Sequence, residues 1–93
     1  MTSKFPLEKI LKNVKLETYL ESVGKEVSDY DLWGVVGEGI TIGQITNGFA
    51  YKVPSNAEVV VEYHIEYYGE KNSQVMTQAN AYGLALIPKN PRI

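Results

Sequence analysis

Residues Ala57 to Tyr68 alternate almost perfectly between an apolar and a more polar set of side chains. The apolar set is Ala57, Val59, Val61, Tyr63, Ile65 and Tyr67. The other set contains three glutamates and the only histidine of the chain, and consists of Glu58, Val60, Glu62, His64, Glu66 and Tyr68. Because successive side chains of a strand point to opposite faces, this period of two predicts a long β-strand with one face in a core and one face polar.

This strand is long for so small a chain. The sequence has 93 residues, and a compact globule of that size is about 32 Å across. A strand over residues 57–68 would span about 40 Å, and its return strand over residues 74–87 about 47 Å. We therefore expect this C-terminal hairpin to bend at a bulge, to project from the core, or to be covered by another copy of the chain.

The N-terminal part of the chain predicts helix. Two sets of apolar residues recur at helical spacing. The first follows Pro6 and consists of Leu7, Ile10, Leu11 and Val14. The second ends before Gly24 and consists of Leu16, Tyr19, Leu20 and Val23. On one straight helix the two sets would face nearly opposite ways. A break at residues 13–15 into two helices is favoured, and an extended segment over residues 15–20 is the alternative.

The middle of the chain predicts strands joined by turns. Asn47-Gly48 is a strong signal for a two-residue hairpin, and it would join residues 40–46 to residues 49–53. The predicted fold class is α+β. One or two N-terminal helices (about residues 6–23) pack on a mainly antiparallel β-meander of four to five strands (about residues 32–87), with Leu32 to Val36 as the fifth strand. Residues 88–93 are predicted to be a loose tail, and residues 1–93 a single domain.

The polar strand face carries the sharpest chemistry in the sequence. Glu62, His64 and Glu66 follow one another at spacings of two, so a regular strand projects all three the same way. Imidazole and carboxylate are ligands for a divalent transition metal, and these three residues are the candidate metal ligands. The alternative is an ordinary solvated face, and no cofactor is expected. The natural hairpin register would set His64 opposite Gln78 and Glu62 opposite Asn80.

Composition excludes several classes of function. The chain has no cysteine and one histidine, and no serine stands in a nucleophile-elbow context, so we expect no enzyme. The net charge of −2 gives no broad positive surface for nucleic acid. No stretch approaches the roughly 20 apolar residues that span a bilayer, and no signal peptide is apparent, so a soluble, cytoplasmic protein without membrane contact is expected.

Residues 56–87 also carry a resemblance. Asn56-Ala57-Glu58-Val59-Val60, then Met76 and Gly83-Leu84-Ala85 in the return strand, resemble the C-terminal hairpin of the YbjQ-like family. These are small oligomeric proteins described as heavy-metal-binding. The resemblance implies an oligomer and a metal-related role.

The function expected from the sequence is therefore that of a homo-oligomer with a binding or structural role. Tyr68, Tyr82 and Met76 are the candidate interface residues, because tyrosine is common where proteins meet and these residues belong to the long hairpin. A module that binds a metal or an unknown small ligand through Glu62, His64 and Glu66 is the first alternative. An enzyme with a site between subunits is the second.

Overall fold

The computed structural model describes residues 4–68 and 78–89. Within them lie two α-helices, α1 (Leu16–Val23) and α2 (Ile42–Lys52), and four strands, β1 (Ile10–Lys12), β2 (Tyr30–Gly39), β3 (Val59–Tyr68) and β4 (Gln78–Pro88). Single 3-10 turns occupy Leu7–Lys9 and Val27–Asp29. The fold is α+β, as predicted. None of the helices in this part of the chain is long and apolar enough to cross a membrane.

The four strands form one mixed sheet in the order β1-β3-β4-β2. The antiparallel pairing of β3 with β4 is as predicted, and the residues that connect them, 69–77, lie outside the described residues. β2 is also antiparallel to β4, whereas β1 runs parallel to β3. The predicted meander order is wrong, because β4 lies between β2 and β3, which are therefore parallel and joined through α2.

The predicted hairpin at Asn47-Gly48 is wrong, since both residues lie inside α2. Thr41 caps this helix, and its Oγ1 accepts a hydrogen bond from the Gln44 backbone N–H at 3.1 Å. α2 buries Ile45, Phe49 and Ala50, and Val53 is buried just after the helix. Ile45, Phe49 and Val53 follow one another at intervals of four residues. This helical spacing of apolar residues overrides the two-residue turn signal.

The first predicted N-terminal helix is also wrong. After one 3-10 turn the chain extends into β1, where Ile10 is buried and lies opposite Val60 of β3. Asn13 then adopts a positive φ of 59°, which ends the strand; asparagine tolerates this conformation better than most residues. The second predicted helix is confirmed as α1, and Gly24 ends it in the left-handed conformation.

A β-bulge interrupts β3 in its middle. Val61 lies opposite Leu84 and His64 opposite Tyr82, so β3 has one residue more than β4 between these pairs. Glu62 takes up the extra residue with a φ of 57°. The predicted register is wrong by more than this one residue, because Asn80 lies opposite Glu66 and not opposite Glu62. A bulge was one of the three expected ways to accommodate so long a strand.

The bulge splits the predicted apolar face between the two sides of the sheet. Val59 and Val61 belong to a cluster with Leu20 of α1, together with Tyr30 and Leu86. Tyr63, beyond the bulge, belongs to the cluster under α2, where its ring meets the edge of Phe49 with centroids 4.8 Å apart. α2 thus covers one side of the sheet and α1 covers the other. We call these the α2 side and the α1 side.

Candidate functional site

The bulge separates the three predicted metal ligands. The Glu62 carboxylate accepts a hydrogen bond from the Leu16 backbone N–H at 3.0 Å, and the Glu62 N–H donates to the carbonyl of Val14 at 2.7 Å. Because Lys15 provides no side-chain cap for α1, Glu62 supplies the missing acceptor from the sheet. Glu62 therefore holds the first turn of α1 in place.

His64 and Glu66 remain neighbours on the exposed surface of β3. His64 Nε2 lies 3.2 Å from Glu66 Oε2, and His64 Nδ1 lies 3.2 Å from the backbone carbonyl of Glu62. The imidazole also stacks on the ring of Tyr82, with centroids 5.4 Å apart and planes 27° apart. These contacts fix the orientation of the ring against the sheet.

The described residues contain no group of three or more histidine, aspartate or glutamate side chains placed to hold a metal ion. Glu62, His64 and Glu66 do not converge, because the Glu62 carboxylate is directed to α1. His64 and Glu66 alone would provide two ligands from one chain, and the remaining ligands would have to come from elsewhere.

The sheet face around His64 is open because α1 covers only part of its side. We call this region the open face. It consists of Leu32 and Val36 of β2, His64 of β3, and Tyr82 and Leu84 of β4. The pairing of the three strands places all five residues on the α1 side. Leu32 is 43% exposed and Val36 is 41% exposed. Asn80 adjoins the open face, and its buried Oδ1 has no hydrogen-bond partner among the described residues.

Of the three predicted interface residues, Tyr82 is the one whose side chain the structure describes. It is half-buried on the open face, against the ring of His64. Tyr68 ends β3, but its side chain lies outside the described residues, as does the whole of Met76.

β2 is the surface that sequence reasoning missed. It has ten residues and lies at the edge of the described sheet, where one side of its backbone has no neighbouring strand. Leu32, Trp33 and Val36 are large apolar residues of β2 that are at least two-fifths exposed. A sequence signal was present in the apolar run of residues 32–36, but the position of this strand at an edge follows from the pairing order alone.

A second polar feature ties α1 to the sheet. Glu58 Oε2 accepts hydrogen bonds from the hydroxyls of Tyr19 and Tyr30, at 2.6 and 2.9 Å. Burial, with hydrogen bonding to Glu58 as the next cause, raises the pKa of Tyr30 to about 12, and the same causes raise the pKa of Tyr19 above its usual range. Both hydroxyls therefore stay protonated at neutral pH and keep donating to Glu58.

We expect the protein to lose stability at alkaline pH through Tyr30. An unfolded tyrosine loses its proton near pH 10, but folded Tyr30 keeps it to about pH 12. Between these values the unfolded state binds fewer protons, so the free energy of unfolding falls as the pH rises. Urea unfolding at pH 9 and pH 11.5 should show a smaller loss in Tyr30→Phe than in the original chain or in Tyr51→Phe, where the side chain is exposed. An equal loss in all three proteins would contradict this role for Tyr30.

Comparison of this chain with family models, with curated proteins and with solved structures gives no match.

Proposed function

We propose that this chain is a non-enzymatic structural module that self-associates, with two copies joined edge to edge through β2. The observation that carries the proposal is a ten-residue edge strand that exposes Leu32, Trp33 and Val36. The YbjQ-like resemblance also implies an oligomer and so supports self-association.

The sequence of β2 favours pairing with another strand. A free edge presents unpaired N–H and C=O groups, and natural proteins protect such edges with lysine, proline, bulges or short strands. β2 contains neither lysine nor proline, and its pairing with β4 runs without a bulge from Tyr30 to Gly39. Its charges are Asp31 and Glu38, which lie near its two ends. The central apolar part of the edge is therefore unprotected.

A second copy of β2 is the partner that suits this edge. With a two-fold axis at Gly34, an antiparallel pair sets Leu32 of each copy opposite Val36 of the other, so both exposed side chains gain an apolar neighbour. This register also keeps the two carboxylates apart, because Asp31 then lies opposite Gly37. Moving the register by one residue would set Asp31 opposite Glu38, where like charges repel, and would place unlike sheet faces side by side.

Edge pairing would also extend the open face. Leu32 and Val36 belong both to β2 and to the open face, so the open faces of two paired copies become continuous. Tyr82 lies one strand further in, opposite Val36. In the proposed dimer Tyr82 would therefore lie next to the paired β2 strands and not between them.

The histidine environment supports a role other than catalysis. Among the described residues, the polar contacts of His64 are with Glu66 and the Glu62 carbonyl, and no hydroxyl lies within hydrogen-bond distance of either ring nitrogen. A nucleophile beside its base would require such a contact. His64 instead stacks on Tyr82 as part of the open face.

The test is the solution mass of the chain and of Val36→Lys. Sedimentation equilibrium at micromolar concentration should show a mass of at least twice 10.4 kDa for the original chain. Val36→Lys should shift the mass toward 10.4 kDa and weaken association at least about tenfold, because it places an ammonium group at the apolar centre of the edge.

Val23→Lys is the matched control. Val23 is 40% exposed, against 41% for Val36, but it lies at the end of α1. We expect Val23→Lys to associate like the original chain. A monomer at all concentrations, or equal effects of the two lysine substitutions, would contradict pairing through β2.

A further inference from the structure

A cleft of about 410 Å³ opens on the α1 side of the sheet, at the Tyr30 end of β2. It is lined by Lys25, Ser28, Asp29, Tyr30, Glu58, Pro88 and Lys89. Tyr30 is buried and Glu58 is half-buried, whereas the other five residues are exposed. Tyr30 and Glu58 thus form the floor of the cleft, and the lysines belong to its rim. Its volume lies in the range that small-molecule sites occupy.

The floor presents a carboxylate in a fixed orientation. Glu58 Oε2 receives hydrogen bonds from Tyr19 and Tyr30, while Glu58 Oε1 has no hydrogen-bond partner among the described residues. Glu58 is also fixed through its backbone, because its N–H donates to the carbonyl of Leu86 at 2.7 Å. A carboxylate held in this way can accept from an incoming donor without losing further side-chain freedom.

The rim carries the ammonium groups of Lys25 and Lys89. Within the described part of the chain, neither Lys25 nor Lys89 forms an ion pair or a side-chain hydrogen bond. The backbone of Lys89 is anchored, since its N–H donates to the carbonyl of Asp29 at 3.0 Å. The cleft therefore holds both signs of charge, and its lysines are not neutralised by Glu58 or Asp29 within ion-pair distance.

We propose that this cleft binds a small zwitterion, whose ammonium group contacts the Glu58 carboxylate and whose carboxylate contacts Lys25 and Lys89. A simple anion would face repulsion from Glu58 and Asp29, and a simple cation would face repulsion from the two lysines. A molecule with both charges satisfies the floor and the rim together, through charge-assisted hydrogen bonds. Amino acids and other small amino carboxylates have this chemistry.

The experiment is an NMR titration of the full chain with linear ω-amino acids, from 3-aminopropanoate to 6-aminohexanoate. At least one of them should bind with a Kd below about 5 mM and shift the amide signals of Tyr30 and Lys89. n-Butylamine and butyrate, which carry one charge each, should bind at least about tenfold more weakly than the best zwitterion. The length of the ω-amino acid that binds most tightly reports the distance between the Glu58 carboxylate and the lysine ammonium groups.

Variants locate the binding within the cleft. Glu58→Gln, and the double variant Lys25→Gln with Lys89→Gln, should each weaken binding about tenfold. The lysines are exposed, so the double variant should fold even if Glu58→Gln disturbs the contact with α1. Lys52→Gln is the control, because Lys52 is an exposed residue of α2.

Three results would overturn the proposal. The first is no binding of any zwitterion below about 20 mM. The second is equal binding of a zwitterion and of butylamine or butyrate. The third is unchanged affinity in the double lysine variant, or an equal loss in Lys52→Gln. None of these results bears on self-association through β2, which is measured separately.

Discussion

Replacing Phe49 by alanine is expected to lower the free energy of unfolding by about 3–5 kcal/mol. Phe49 is fully buried and reaches from α2 to the middle of the sheet, where its ring meets Tyr63 and its tip lies over Gly83. Truncation would leave a cavity at the centre of the cluster under α2. Urea denaturation followed by circular dichroism measures the effect.

Tyr51→Ala is the control on the same helix. Tyr51 is 55% exposed, so we expect a change within about 0.5 kcal/mol. If the middle of the chain were the hairpin that Asn47-Gly48 suggests, Phe49 and Tyr51 would lie on the same strand face. Similar effects of the two substitutions would therefore contradict the helical assignment of α2.

Gly37→Ala is expected to cost about 1–3 kcal/mol by overpacking. A Cβ atom at Gly37 would come within 2.9 Å of Phe49 N and Cα, so the backbone of α2 would have to shift away from β2. Gly43→Ala in the first turn of α2 is the control, because a Cβ there meets nothing within 4 Å and Gly43 is not part of the β2 edge. It should be neutral or slightly stabilising.

The two glycine variants must be compared at one protein concentration, since association shifts apparent stability. Thermal or urea unfolding should separate them in the stated order. Equal stability of Gly37→Ala and Gly43→Ala would show that α2 does not pack closely on this part of β2.

The sequence predicts those elements whose local pattern agrees with their packing. The alternation in residues 57–68 predicts β3, and the apolar spacing before Gly24 predicts α1. Both are confirmed. The α+β class follows because these two patterns differ in period.

The middle of the chain could not be predicted as easily, because two local signals compete there. Asn47-Gly48 favours a turn, while Thr41 and Gln44 at a spacing of three, followed by Ile45 and Phe49, favour a capped helix. The capping signal is present in the sequence beside the turn signal. α2 prevails because it buries Ile45 and Phe49 completely.

The candidate site was only partly predictable for a different reason. A strict alternation places Glu62 and His64 on one polar face, but a bulge is a single-residue event without a clear local signature. Here the bulge lets Glu62 cap α1 while Tyr63 turns toward Phe49. The exposed edge of β2 depends on the order of strands in the sheet, which local patterns do not encode.

Disulfide trapping with Gly34→Cys tests the pairing of β2 most directly, because the chain contains no cysteine of its own. In the proposed register Gly34 of one copy lies opposite Gly34 of the other. Directly opposed residues of antiparallel strands have Cα atoms about 4.5–5.5 Å apart, which suits a disulfide. Thr18→Cys, at an exposed position on α1, is the control.

Mild oxidation at micromolar concentration, followed by non-reducing electrophoresis, should convert most of the Gly34→Cys protein to a covalent dimer of twice 10.4 kDa. Under the same conditions Thr18→Cys should remain mainly monomeric. Equal and slow cross-linking of both variants would contradict the edge-to-edge pairing of β2.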